Sequence, residues 1–247
     1  MARSTQGVVD GARLSDAAGS ALGDIDRAVF PRSAVKMLQA LPLVASGAAD
    51  ALKLADAELA LACASHSGEP AHVATARGML AKAGLDAGAL ECGTHWPALD
   101  TAGRELAAHG EAPTALHNNC SGKHAGFLTL NQHMKGGSEY VEVDHPVQKA
   151  VRAAYEEVTE VASPGYGIDG CSAPNFAMTL GGMAAAVGLI VDDAVVMLEH
   201  VMRRMQEGTA RDTPGILDAA AEMARPLFGS TGATIVVFLP LAFISGV

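Results

Sequence analysis

The feature that most constrains this chain is a change of texture about three quarters of the way along it. Up to about Thr179, charged and apolar residues are interspersed as in a soluble protein. Phe176 to Val191 then carries no charged side chain, Asp192 and Asp193 interrupt, Ala194 to Leu198 is apolar again, and Pro226 to Val247 is a second uncharged run. A helix needs about 20 apolar residues to cross a bilayer, so the second run is long enough; a buried helix is the alternative for the first. Arg203, Arg204, Arg211 and Arg225 lie between the runs, in the kind of short basic connection that stays cytoplasmic. The sequence therefore predicts two parts, residues 1–179 and residues 180–247, the second a pair of membrane-type helices that would insert in an inner membrane.

Charge narrows the partners. With 27 acidic against 17 basic residues and no basic patch, a nucleic-acid partner is excluded, since phosphate backbones require clustered Lys and Arg. Cys63, Cys92, Cys120 and Cys171 are scattered without a C-x-x-C pair, which argues against a disulfide framework or zinc ribbon. Met1 to Gln6 leads into Asp- and Gly-rich sequence instead of an apolar run, and residues 1–179 are accordingly expected in the cytoplasm.

Within that first part the spacing predicts strand and turns over Gly7 to Ile25 and a helix over Ala34 to Leu41, with Pro31 at its entry and Pro42 as its stop. Further helices are expected over Ala48 to Ala62, His72 to Gly84, Leu99 to His109, Ala125 to His133 and Val147 to Val158. Ser163 to Asn175, rich in Gly and Pro, is expected to be a loop.

Three places carry reactive groups. Ser33-Ala34-Val35-Lys36 is a Ser-x-x-Lys arrangement, in which a lysine of lowered pKa could take the proton of a serine; the same spacing also arises on solvated helix faces. Ser65-His66-Ser67 lies in a polar loop, where a hydrogen-bonded turn is the competing explanation. His117-Asn118-Asn119-Cys120-Ser121-Gly122-Lys123-His124-Ala125-Gly126 is the densest, with glycines that would let the backbone turn sharply near a ligand. Cys120, Lys123 and Cys171 offer two thiolates and an amine of the kind zinc accepts, and buried inert cysteines are the alternative.

Taken in order, Phe30 to Lys36, Cys63 to Pro70, His117 to Gly126 and Gly167-Ile168-Asp169-Gly170-Cys171-Ser172-Ala173-Pro174 resemble the serine-nucleophile, zinc-binding bacterial asparaginases of thermolabile type. The resemblance covers residues 6–179. It implies an α+β amidohydrolase domain similar to serine β-lactamases and glutaminases, which converts asparagine and water to aspartate and ammonia and works as a homodimer. It further implies Ser33 paired with Lys36, Ser65 as the serine of a second Ser-Lys tandem, zinc held by Cys120, Lys123 and Cys171, and Arg32, His124 and Asp169 organising the substrate, Asp169 by orienting Lys123 or a water. That family runs on beyond Thr179, where it supplies the second lysine, so the domain is expected to be truncated. Residues 180–247 instead resemble a transmembrane segment of the resistance-nodulation-division efflux pumps, over Gly181 to Val196 and Ile235 to Phe243. The chain is thus expected to be a chimera joined near Thr179. Its alternatives are a fragment of a proton-driven efflux transporter or a non-catalytic protein that binds amide or zinc.

Overall fold

The computed structural model describes Ala12–Arg13 and residues 22–188. The chain divides into two compact units, Met1–Ala185 and Ala186–Val247, a boundary a few residues beyond the break in composition. The first predicted membrane run, Phe176 to Val191, is described as far as residue 188, and the second, Pro226 to Val247, lies outside the described residues. Among the described residues, no helix is long and apolar enough to cross a membrane.

The first unit is α+β. Its strands are short: β1 (Ala12–Arg13) pairs with β2 (Leu22–Gly23), β3 (Ala28–Val29) with β6 (Met178–Thr179), and β4 (Tyr166–Ile168) with β5 (Pro174–Phe176), each pair antiparallel. The helices are α1 (Lys36–Ala45), α2 (Ala48–Ala51), α3 (Asp56–Ala62), α4 (Pro70–Lys82), α5 (Asp100–Ala108), α6 (Ser121–Met134) and α7 (Pro146–Thr159).

At the centre is α6, which packs against α1, α2, α3, α4 and α7. All eleven residues from Ser121 to Asn131 are buried, as required of a helix enclosed on every side. A Cβ at Gly122 would overlap the backbone carbonyl of Leu61, and one at Gly126 would press on Ala62 and Leu43. Both glycines therefore serve close packing of α3 and α1 against α6. The sequence had suggested sharp turns beside a ligand; neither residue has a positive φ, and both are helical.

Other departures have local causes. Pro42 does not stop its helix but lies buried inside α1, which continues to Ala45 and ends at Gly47, whose φ is +78°. The helix expected over Ala48 to Ala62 is broken in two. Lys53 has φ +52°, and Glu58 starts α3 afresh by accepting the Ala55 N–H at 2.7 Å while also receiving the Lys82 ammonium. The expected loop at Ser163 to Asn175 contains the β4–β5 hairpin, whose register pairs Gly167 with Asn175. Helices α4, α5 and α7 fall close to their predicted spans.

Candidate active site

The chain from β3 enters a 3-10 turn at Arg32–Val35 and only then becomes α1, with Val35 at φ −112° and ψ 21° marking the change. This junction rotates Lys36 inward, to 1% exposure, and leaves Ser33 exposed. The amine of Lys36 lies 2.7 Å from Ser65 Oγ, 3.0 Å from the carbonyl of Ala64 and 3.2 Å from that of Asn119. Its serine is thus Ser65, and the expected partnership of Ser33 with Lys36 is replaced because the two residues do not share one regular helical turn.

The three partners of Lys36 take the three N–H groups of an ammonium and also suit the neutral amine. A neutral amine has two N–H groups and one lone pair; the two carbonyls can take the N–H groups, leaving the lone pair for the Ser65 hydroxyl. Burial lowers the amine's pKa, opposed by the neighbouring Cys120. A buried amine facing an exposed hydroxyl is the arrangement that general-base activation of serine requires.

Cys120, at the head of α6, and Cys171, in the turn between β4 and β5, are brought close enough to shift each other's titration across about fifty residues of chain. Both are free thiols. Lys123 Nζ donates to Cys171 Sγ at 3.1 Å. The two thiols titrate as a pair, Cys120 pushed up and Cys171 held well below the usual thiol range, chiefly by their interaction with each other and further by His124 and Lys123. The three predicted ligands therefore meet. Among the described residues no three His, Cys, Asp or Glu side chains group as a metal site, so a metal here would rest on two sulfurs and an amine. Two soft thiolates with a nitrogen donor suit zinc by chemistry.

Sequence reasoning missed what fixes these groups. Asn118 Nδ2 donates to the carbonyls of Cys92 and Gly93, and its Oδ1 accepts the Cys120 N–H at 2.8 Å, setting the entry to α6. An Asn just ahead of a helix is the available signal. Asp169 does not reach Lys123 as expected; its carboxylate takes Arg32 Nε at 3.3 Å and Asn175 Nδ2 at 3.2 Å. Arg32, at φ +53°, also donates its N–H to Asn175 Oδ1, so these residues tie the hairpin to the turn ahead of Lys36. His66 is no base for its neighbouring serines. Its Nδ1 accepts from Gly68 N–H, so Nε2–H donates to Ser121 Oγ at 2.8 Å, and burial lowers its pKa to about 4. Ser67 Oγ donates to Glu69.

The α+β unit thus sets an exposed hydroxyl on a buried amine beside a pair of cysteines. The family model for L-asparaginase II matches residues 9–231, and the chain belongs to that family, which makes it amidohydrolase-like. That match continues past Thr179, across the break in composition. A shorter stretch of the chain also resembles other curated proteins. The chain is 44% identical over 71 residues to the swarming motility protein SwrC of Bacillus subtilis. It is 36% identical over 69 residues to the multidrug resistance protein MdtF of Escherichia coli K12, and 37% over 70 residues to an uncharacterized transporter of Haemophilus influenzae. Each match takes in 28% of this chain and 7% of the relative, so the chain spans a small fraction of their length.

Proposed function

We propose that the protein hydrolyses the side-chain amide of L-asparagine, with Ser65 as nucleophile and Lys36 as its base. What carries the reading is the 2.7 Å contact between Lys36 Nζ and Ser65 Oγ, with two carbonyls on the same amine, in a chain of the L-asparaginase II family. Ser65 Oγ attacks the amide carbonyl as its proton passes to Lys36 Nζ. The C–N bond then breaks, the ammonium returns the proton to the departing nitrogen, and ammonia leaves. Water attacks the acyl ester, again losing its proton to Lys36, which restores Ser65 as aspartate departs. Arg32, held by Asp169, offers a cation for the substrate carboxylate at the mouth of the site. Cys120, Cys171 and Lys123 would hold zinc, which when bound supplies positive charge to position and polarise the substrate.

Ammonia release by the full chain with asparagine and with glutamine, in wild type, Ser65→Ala and Ser33→Ala, tests this reading. Loss of turnover in Ser65→Ala with substantial retention in Ser33→Ala is expected; the reverse pattern removes Ser65 as nucleophile. Zinc uptake without ammonia from any amide would leave a binding protein in place of an enzyme.

A second reading, that the chain joins an asparaginase-type domain to an efflux-type membrane segment, draws on the 36% identity to the multidrug resistance protein MdtF over 69 residues and on the uncharged runs of the sequence. Sequencing genomic DNA across the codons for Asn175 to Met183 tests the joint. Partition of the full chain into detergent tests inner-membrane attachment, and recovery without detergent would count against it.

A further inference from the structure

Three loops meet at the backbone of Asn119. Its carbonyl accepts Lys36 Nζ and the His66 N–H, each at 3.2 Å, so the two lone pairs of one oxygen tie the amine to the residue after Ser65. Its own N–H donates at 3.0 Å to Nε2 of His95, in the loop ahead of α5. A backbone N–H can only donate, so Nε2 accepts. His95 Nδ1 lies 2.7 Å from the Trp96 carbonyl, which can only accept. Both contacts therefore put the proton of the neutral ring on Nδ1. Asn119 Oδ1 lies 3.3 Å from the same Nε2, and the amide turned over presents its NH2 there, which also suits an accepting nitrogen. The loop that carries His95 is itself held at both ends. Asn118 Nδ2 donates to the carbonyls of Cys92 and Gly93, and the Leu99 N–H donates to the Ser67 carbonyl. Pro97 packs so closely on Gly68, at φ +79°, that a Cβ on that glycine would lie 3.0 Å from it.

We propose that His95 is a positioning residue for the Lys36–Ser65 pair: its Nε2 holds the peptide N–H of Asn119 and so aims the Asn119 carbonyl at the amine. The proposal rests on the reading of Lys36 as the base of Ser65. The peptide units on either side of Asn119 are each pinned at two atoms. In the first, the Asn118 carbonyl accepts the Ser121 N–H at 2.9 Å while the Asn119 N–H goes to His95. In the second, the Asn119 carbonyl takes its two donors while the Cys120 N–H goes to Asn118 Oδ1. His95 and Asn118 together lock this turn on the Cys92–Pro97 loop, and of the two only His95 holds the residue whose carbonyl meets Lys36. The hydrogen bonds of His95 go to Trp96 and Asn119, so it acts on the amine through the Asn119 backbone. A misplacement of about 1 Å in a reacting group can cost about 10²-fold in rate.

Three variants of the full chain separate positioning from packing. His95→Phe keeps a ring and loses the acceptor, His95→Gln sets Oε1 where Nε2 lies, and the shorter amide of His95→Asn reaches only to the place of Nδ1. In His95→Phe and His95→Asn, kcat for ammonia release from asparagine is expected to fall about 10²-fold with KM within about twofold of wild type. Hydrogen exchange at the His66 N–H, which bonds the Asn119 carbonyl, should quicken in the same two variants. His95→Gln should recover about tenfold of the lost rate and restore the exchange protection. A kcat within about twofold of wild type in both His95→Phe and His95→Asn, or equal losses in all three variants, would overturn the proposal. Long-range proton–nitrogen spectra of wild type, labelled at histidine, are expected to show His95 protonated at Nδ1 and bare at Nε2; the opposite tautomer would also overturn it. If His95→Phe does not fold, the contrast between His95→Gln and His95→Asn decides. If wild type releases no ammonia from any amide, the hydrolytic reading fails, and the tautomer with the His66 exchange then judges the hold of His95 on Asn119.

Discussion

Lys36 is the side chain on which the proposed chemistry turns. Its buried amine donates to two backbone carbonyls and to the Ser65 hydroxyl, and once it loses a proton its lone pair can face that hydroxyl while the carbonyls keep the two N–H groups. Replacing it by Met keeps most of the stem and removes the base. Ammonia release is expected to fall about 10²–10⁴-fold, with the chain still folded by circular dichroism; retention of near-wild-type turnover would exclude Lys36 as base. The sequence disclosed that Lys36 and Ser33 were reactive types at suggestive spacing. It could not disclose that the 3-10 turn ends at Val35 and α1 starts at Lys36, and that change of helix type is what gives the amine to Ser65. Cys120, Lys123 and Cys171 were legible as a set through their chemistry. Asn118 was not, since it works by hydrogen bonds to Cys92, Gly93 and Cys120 that the chain order does not reveal.

At the level of elements, α6 and its neighbours hold the site. Cys120 and Lys123 sit on the first turn of α6, so any shift of this helix moves both away from Cys171 on its separate hairpin. Gly122 fixes how closely α3 approaches that turn. Gly122→Ala must displace backbone, because the added methyl meets the Leu61 carbonyl, and such overpacking costs about 1–3 kcal/mol. Urea titration should show a lower midpoint for Gly122→Ala, and zinc uptake should weaken with it; an unchanged midpoint would mean α3 can yield. Glu58 has a comparable role at the start of α3, where it is 6% exposed and receives both the Ala55 N–H and Lys82. Glu58→Ala removes the cap and leaves Lys82 without its carboxylate, so a loss of about 1–2 kcal/mol is expected in the same titration. The spans of α4, α5 and α7 could be read from periodicity and flanking Pro. The β4–β5 hairpin could not, because its strands are three residues each, too short for alternation to register.

For the whole first unit, pH acts through histidines kept neutral inside it. His66 falls from 6.5 to about 4 on folding, by burial first and by the cations and imidazoles around it; His124 moves the same way by burial. The unfolded chain therefore binds more protons than the folded one between those values, and stability falls as pH drops from about 6.5 towards 4. Each such histidine contributes a slope of at most about 1.4 kcal/mol per pH unit. Urea midpoints across this range should decline with acid, and His66→Gln, which can still donate to Ser121, should flatten part of the decline; parallel profiles would assign the effect to other groups. The sequence by itself determined the acidic balance, the break in composition near Thr179, most helix positions and which reactive side chains were present, because these follow from residue type and local periodicity. Only the tertiary structure decided that Ser65 faces Lys36, that Asp169 goes to Arg32 and Asn175, and that two glycines serve packing. Those outcomes depend on contacts between residues tens of positions apart, and on burial, which sets proton positions that no local pattern encodes.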